Sequence, residues 1–492
     1  MKAICLFTMI LSILIAGGAF AQTPKELKPS APKAATATSG GPALSLSEFL
    51  GQVSSKHQGY QAADQTSKAA MAESEAAKLL FRPNLVGEAR AFQHGLTNPY
   101  ADDTSKVTNR AYNLGVEQQT NFGLSGKLLF NHNEYINPAT QVGPSSQWKP
   151  DWFSLEFSQS LYRNWNGREA KSQAELIQSG ALAKAFSQSY ATKQLLLEAE
   201  SNYWSLVLAR ENVAMQKDSV ARAQRIHDWT SRRVRLQLAD RAEGLQASTN
   251  LQSRKLDLKT AEDQERVAAQ MFNSSRGVVG DQVNETLATL TPELIASFNV
   301  PARTTQRDDV KAAEFQAKST AANARLEGEK NKPKVELYGS LPVTKPQEPP
   351  GGSGNFMFLS QQPGTTIGLR LSMPLDIGTQ SRVREGYAAE AQAADWTFQR
   401  KSFEEERDWQ DLTSKFREAK ERLKLYTELE KQQSEKLNYE RDRQQRGRST
   451  LQQVILFEAD YQLAQLGRLR TLAELLTLNA NMKLYGVSYE SR

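Results

Sequence analysis

The sequence predicts an α+β membrane protein built as two internal repeats, in which amphipathic β-strands lead into very long helices. Apolar and polar residues alternate over 152–161 and again over 365–375, the period-two pattern of a strand with one apolar and one polar face. Each strand is followed by a stretch of about 60 residues without glycine or proline, 181–243 and 387–446. One arrangement of elements therefore occurs twice.

Composition limits the class of protein. The 492 residues are 39% hydrophobic and 24% charged, enough for two or more domains and too polar for a helical membrane protein. Removing Lys2 from the 61 basic residues, against 55 acidic ones, leaves a net charge of about +5 that is spread along the helices. Nucleic acid is therefore not an expected partner.

Residues 1–21 have the pattern of a signal peptide. Lys2 supplies the positive start, an apolar core follows, and Ala19-Phe20-Ala21 is a cleavage site. Cleavage there removes Cys5, the single cysteine of the chain, so the mature protein is expected to have no disulfide or thiolate site. Residues 22–43, rich in Pro, Ala, Ser, Thr and Lys, are predicted to form a flexible linker.

The first repeat is predicted over 44–276. A helix should run to Leu80, and Pro83 then opens a strand over 84–92 with Glu88 and Arg90 on its polar face. Two alternating runs within 112–130 are typical of an added hairpin, with a plain loop as the alternative.

The strand at 152–161, with Glu156 on its polar face, leads into the first long helix. At 1.5 Å per residue, 181–243 would be on the order of 95 Å long, so this helix must lie against others along its length. A break at 237–244 reverses the chain into a partner helix over 245–275, and 277–308 is a mixed connector.

The second repeat, 309–486, has the same order of elements and is followed by a short tail, 487–492. Its helices are predicted at 312–330, 387–446 and 451–484, and its strands at 335–339 and 365–375, with a reversal at 447–450. Glu336 and Arg370 lie on the polar strand faces. Pairs at matching positions in the two repeats are Pro83 and Pro333, Leu161 and Leu375, Arg168 and Arg382, and Glu156 and Arg370.

These features together resemble the TolC family of outer-membrane efflux proteins, over Leu44 to Gly486. The motifs are Arg82-Pro83 and Lys332-Pro333, the strand endings LEFSQSLY and LRLSMPLD, Tyr203-Trp204, and the reversals RVRLQLADRAEGLQAST and RDRQQRGRSTLQQVILFEAD. Each motif alone is weak. Their order, spacing and duplication make the resemblance specific.

The resemblance implies a homotrimer in the outer membrane of a Gram-negative cell. Its trimeric β-barrel, with four or more strands per chain, would be continued by an antiparallel coiled-coil tunnel in the periplasm that meets an adaptor protein and an inner-membrane pump. Four strands cannot close a barrel, and open sheet edges are not tolerated in lipid, whereas three chains together close one. The implied function is an exit duct for tripartite efflux or type I secretion, with passive passage and no chemical step.

Two groups of site residues follow from this resemblance. The barrel lumen should be lined by charges on the polar strand faces, and the periplasmic aperture or adaptor contact by residues at the helical reversals. The predicted lumen residues are Glu88, Arg90, Glu156, Glu336 and Arg370; the predicted aperture residues are Asp240, Glu243, Arg446, Arg448, Gln452 and Glu458.

The aperture of the second repeat departs from the acidic pattern of the family it resembles. Aligning Ala247 with Ala459 places Gln452 and Ile455 opposite Asp240 and Glu243. Ordinary solvated charges at helix ends are an equally good interpretation of the arginines beside Gly447.

No cofactor, metal site or enzymatic activity is expected, because the four histidines are scattered and lack metal-ligand spacing. The alternative function is a non-conducting periplasmic coiled-coil scaffold, and a periplasmic enzyme is a third possibility without a convergent catalytic set. The sequence leaves the cargo open, as well as whether 112–130 adds strands to the barrel.

Overall fold

The computed structural model describes residues 43–97, 104–137, 146–288, 290, 295, 298–344, 364–373 and 375–486, which belong to one unit of the chain, Ala43–Arg492. The predicted signal peptide 1–21, the tail 487–492 and the linker 22–43 except Ala43 lie outside the described residues.

Helices form the larger part of the described chain. They are α1 (Leu46–Lys56), α2 (Gln58–Glu75), α3 (Arg168–Arg235), α4 (Arg241–Ser275), α5 (Asp308–Lys330), α6 (Ile377–Gln445) and α7 (Leu451–Met482). The long helices α3 and α6 begin earlier than the stretches free of glycine and proline. A single glycine inside a helix, such as Gly180 or Gly386, costs only about 1 kcal/mol and is tolerated.

The predicted first helix is divided at His57 into α1 and α2. The ring Nδ1 of His57 accepts a hydrogen bond from the backbone N–H of Tyr60 at 3.1 Å, which makes this histidine the N-cap of α2. Its capping contact is local, and the periodicity of the flanking apolar residues does not reveal it.

The strands are β1 (Ala43–Leu44), β2 (Asn84–Thr97), β3 (Thr104–Gln119), β4 (Leu124–Asn137), β5 (Ser146–Trp148), β6 (Asp151–Ser160), β7 (Thr286–Leu287), β8 (Lys334–Pro342) and β9 (Thr366–Ser372). The main sheet has the order β2–β3–β4–β6–β8–β9, all antiparallel, and β5 pairs with β4. β1 and β7 form a separate parallel pair.

The hairpin predicted within 112–130 is confirmed, and both of its strands belong to the sheet. β3 has 16 residues and β4 has 14, so the hairpin is longer than the two alternating runs in the sequence. It lies between β2 of the first repeat and β6, and each chain contributes six strands to the main path of the sheet.

The helices of each repeat form an antiparallel pair, α3 with α4 and α6 with α7, and α3 also packs on α7. Their main core surrounds Phe49, Tyr203 and Phe272, all fully buried. The Tyr203 hydroxyl donates to the carbonyl of Leu44 at 2.8 Å and accepts the N–H of Ala288 at 2.9 Å. This core therefore holds β1 and the chain beside β7 against the helices.

Candidate functional site

One face of the main sheet is apolar and exposed, and we call it the apolar face. The strand register places its residues side by side, and the ten large ones named below are each between 37% and 77% exposed. An exposed apolar surface that extends over five of the six strands is typical of a membrane or protein contact surface. Its large members are Leu85, Leu114, Val116, Leu128, Phe130, Phe153, Leu155, Ile367, Leu369 and Leu371.

Ion pairs end the apolar face on one side. On β4, the apolar positions extend from Leu124 to Phe130, about 20 Å of strand. The next positions on this face are polar: His132 Nδ1 lies 2.5 Å from Asp151 Oδ1, and Glu134 binds Lys149 at 2.7 Å. This boundary suits the change from hydrocarbon to water.

Exposed aromatic residues lie at the other end, where the strands continue into helices. Tyr162 and Trp165 follow β6 and are each 54% exposed, and Phe122 lies in the β3–β4 turn at 46%. Aromatic residues at the edges of an apolar band are typical of membrane–water interfaces. In the second repeat, Leu375 at this junction is 87% exposed.

The opposite face is polar, and it contains all five residues predicted to line a lumen. Glu88 and Arg90 lie on β2 with 3.7 Å between Oε1 and Nε, and Glu336 lies directly opposite Arg370 in the β8–β9 register. Glu156 is paired in register with Lys127 and Ser340.

Further polar residues on this face were missed by the sequence prediction. Lys127 binds Glu117 at 2.9 Å, and the Arg370 guanidinium lies over the Tyr338 ring at 4.9 Å. The alternation of apolar and polar residues over 112–130 could have identified Lys127 and Glu117, because both lie at polar positions of that pattern. Asn131, which donates to Ser154 Oγ at 2.9 Å, belongs to the same set.

The two edges of the main sheet are open within the chain. β2 has 14 residues and β9 has 7, and each pairs along one side only in the described sheet. Their outer backbone groups have no partner strand there. In lipid these backbone groups must be paired with another strand, because no water is present there to form hydrogen bonds with them.

A turn with several side-chain hydrogen bonds joins β6 to α3. The Asn164 side-chain oxygen accepts the N–H groups of Glu169 and Ala170 at 3.0 and 3.3 Å, and Arg163 makes two bonds to the Glu169 carboxylate at 2.9 and 2.8 Å. Gly167 has φ +70°, and a Cβ on it would lie 2.0 Å from the Asn121 carbonyl oxygen. The β3–β4 turn therefore packs directly on the start of α3.

The opposite ends of the helical pairs reverse through two equivalent turns, residues 233–243 and 443–453, which we call the helical tips. In the first, the N–H of Leu238 donates to the Arg233 carbonyl at 2.8 Å, and Gln237 has φ +59°. In the second, the N–H of Arg448 donates to the Arg443 carbonyl at 2.8 Å, and Gly447 has φ +71°. Both are Schellman-type helix ends.

This equivalence corrects the predicted alignment of the tips. Because Gln237 matches Gly447, Asp240 lies opposite Thr450 and Glu243 opposite Gln453; Gln452 and Ile455 do not occupy those positions. The error came from aligning Ala247 with Ala459, which lie inside the helices that follow the turns, instead of aligning the turns themselves. The second tip remains without an acidic counterpart.

The predicted aperture residues are not equivalent in the structure. Asp240, Arg446, Arg448 and Gln452 are exposed, and Glu243 is half-buried. Glu458 is fully buried between Arg222 of α3 and Arg441 of α6, with its two oxygens each 2.5 Å from a guanidinium nitrogen. Its side chain does not reach the surface of the chain, and it instead joins the two repeats.

Two other ion pairs join the repeats in the same way. Arg468 of α7 binds Glu211 of α3 at 2.6 Å, and Lys483 binds the almost fully buried Glu200 at 2.6 Å. Burial lowers the pKa of Arg468, but the hydrogen bonds and negative charges of Glu211 and Glu430 together outweigh it and leave the pKa above its usual value. Charged contacts therefore connect α3 with the second repeat along its length.

Neither a cluster of metal ligands nor a membrane-spanning helix occurs among the described residues. No group of three or more His, Cys, Asp or Glu side chains there is placed to hold a metal ion. No helix in the same part of the chain is both long and apolar enough to cross a membrane.

Comparison with known proteins gives matches among solved structures. No family model and no curated protein sequence matches the chain. The outer membrane protein VceC of Vibrio cholerae is 14% identical with a TM-score of 0.63, over 90% of this chain and 97% of VceC. The CmeC outer membrane channel of Campylobacter jejuni is 13% identical with a TM-score of 0.59, over 94% of each chain.

A third match is the open state of the MtrE outer membrane channel of Neisseria gonorrhoeae, 15% identical with a TM-score of 0.59, over 90% of this chain and 88% of MtrE. At these identities the matches establish the fold. The resemblance predicted from the sequence motifs is thus confirmed at that level: the chain has the fold of the TolC family of outer-membrane channels.

Proposed function

We propose that the chain is one subunit of an outer-membrane exit duct, through which substrates pass without a chemical step. The observation that carries the proposal is the main sheet, whose exposed apolar face is backed by a charged polar face and whose strands continue directly into paired helices. In a closed barrel of this kind, the apolar face contacts lipid and the polar face lines water. Glu88, Arg90, Glu156, Glu336 and Arg370 would then lie in the lumen.

The open edges favour assembly from several copies. If β9 of one chain pairs with β2 of the next, no strand edge faces lipid. In a homotrimer, which the resemblance implies, six strands per chain give a wall of about 18 strands, a size that leaves an aqueous channel. We propose that the helical pairs extend this channel through the periplasm towards an adaptor protein and an inner-membrane pump.

Fractionation followed by electrical recording tests the proposal. We expect the chain in the outer-membrane fraction as an oligomer that separates into monomers on heating, and we expect the purified oligomer to conduct ions across a planar lipid bilayer. Recovery in the soluble periplasmic fraction without conductance would favour the scaffold alternative and contradict the duct.

We also propose that charged residues of the first helical tip line the periplasmic aperture. Asp240 is exposed and makes no side-chain capping bond, and Glu243 lies one turn beyond it. Replacing Glu243→Ala is expected to change the conductance or its block by cations, whereas Glu262→Ala, outside the helical tips, should leave both unchanged. An unaltered current in the Glu243 variant would exclude this residue from the aperture.

A further inference from the structure

A cavity of about 440 Å³ lies between α3 and α6, close to the helical tips. Four arginine side chains line it: Arg222, Arg225, Arg232 and Arg441. The carboxylates available to them are Glu458, which is shared by Arg222 and Arg441, and Asp228 in the cavity wall. Positive charge therefore exceeds negative charge around this cavity.

The carboxylate of Asp228 is already engaged. Its Oδ1 accepts a hydrogen bond from Gln224 at 2.8 Å and lies 3.3 Å from His227 Nδ1. Within the described part of the chain, the guanidinium groups of Arg225 and Arg232 make no hydrogen bond and no ion pair shorter than 4.0 Å, and Arg232 acts on Asp228 only through its charge. Two cations of the cavity are thus available to a ligand.

Two buried donors in the same lining also lack partners among the described residues. One is Nη2 of Arg222, whose side chain is 12% exposed, and the other is Nε2 of Gln444, which is 6% exposed. Leaving a buried donor without an acceptor costs about 1–3 kcal/mol. Both groups donate and neither accepts, so an oxygen with negative charge satisfies them best.

The remaining lining consists of Gln445 and two apolar side chains, Ile226 and Trp229. Ile226 is buried, and Trp229 lies beside it with the guanidinium of Arg233 at 4.7 Å from its ring centroid. A binding site that combines apolar walls with a few convergent polar groups fits a small organic molecule. Guanidinium groups bind carboxylate, sulfonate and phosphate oxygens in paired hydrogen bonds.

We infer that this cavity is a binding site for an organic oxyanion, a molecule with a carboxylate, sulfonate or phosphate group on a flat apolar body. The acidic group contacts Arg225 and Arg232 and accepts from the two buried donors, and the apolar body packs on Trp229 and Ile226. The inference concerns binding to the protein itself and does not depend on the proposed duct.

Calorimetric titration of the purified full-length protein in detergent tests this site. The probes are 2-naphthoate, its neutral isostere 2-naphthamide and the cation 2-naphthylmethylammonium, all at one fixed salt concentration. We expect 2-naphthoate to bind and the other two probes to bind at least about tenfold more weakly. Only the carboxylate of 2-naphthoate is a charged acceptor for the arginines, and hydrogen bonds to charged groups contribute appreciably to affinity.

The double variant Arg225→Gln/Arg232→Gln should weaken 2-naphthoate binding by about tenfold or more, since both cations that contact the acid are removed. The matched control Arg235→Gln/Arg241→Gln removes two exposed arginines of the first helical tip that do not line the cavity. Thermal unfolding verifies that both variants are folded. Absent binding, equal binding of the amide, an unchanged double variant, or an equal loss in the control would each overturn the inference.

Discussion

At the scale of single residues, the helical tips show how one backbone geometry is built from two different residues. Gly447 adopts φ +71° without steric cost, whereas Gln237 adopts φ +59° in the equivalent turn with a side chain attached. The left-handed conformation costs a residue with a Cβ about 1–2 kcal/mol. The first tip therefore carries strain that the second does not.

Replacing Gln237→Gly should stabilise the first tip by about 1 kcal/mol, because glycine adopts this conformation freely. Hydrogen exchange of the amides around 233–243 measures the effect as slower local opening. The reciprocal change, Gly447→Gln, should speed exchange around 443–453. Equal exchange rates in wild type and both variants would refute the strain argument.

Glu458 joins the two repeats through buried ion pairs. It is fully buried and bonded to arginines of α3 and α6, so removing its charge leaves two cations facing each other. Glu458→Gln should lower the free energy of unfolding by about 3 kcal/mol or more.

The control for this prediction lies on the same helix. Glu474 binds Arg422 at 2.6 Å, but both side chains are 45% exposed, so Glu474→Gln should cost less than about 1 kcal/mol. Denaturant unfolding of the two variants gives the comparison. Equal losses would mean that burial does not set the strength of the Glu458 contacts.

At the scale of elements, the turn between β3 and β4 and the start of α3 are one packed unit. Gly167→Ala places a methyl group against the Asn121 carbonyl and a Cβ at φ +70°, so it should displace the turn from the junction. We expect a reduced yield of folded oligomer in the membrane fraction. Gly126→Ala, with no atom within 4 Å of the added Cβ, should leave the yield unchanged; a normal yield for both variants would contradict the packing.

The elements also show how far the sequence determines the fold. Alternation predicted strands near 84–92, 152–161, 335–339 and 365–375, and the absence of glycine and proline predicted the long helices. Strand ends and the length of the β3–β4 hairpin escaped prediction because cross-strand pairing with β2 and β6 extends them beyond the alternating residues.

The predicted site residues also fall into two groups, those that the sequence could locate and those that it could not. Positions on strand faces could be predicted, because the side-chain period is two and the register preserves it. The burial of Glu458 could not, because it depends on Arg222, which is 236 residues away in the sequence. The two helical tips were misaligned because the alanines inside the helices indicate equivalent positions less reliably than the backbone conformation of the turns does.

At the scale of the whole molecule, the wall of three copies that we propose would supply the lipid contact, the lumen and closed sheet edges together. The main path of the sheet has six strands in each chain, because β3 and β4 are inserted beside β2. A soluble sheet of the same length would have no reason to expose ten large apolar residues on one face.

The most direct test of the duct is a cysteine scan along β4, from Leu124 to Phe130, in a Cys5→Ser background that keeps the rest of the chain unchanged. A charged, water-soluble maleimide is applied to the oligomer in lipid bilayers while the current is recorded. We predict strict alternation: Ser125, Lys127 and Leu129 variants react and reduce the conductance, whereas Leu124, Gly126, Leu128 and Phe130 variants are protected by lipid. Reaction at every position, or reaction without any change in current, would contradict a membrane wall around a pore.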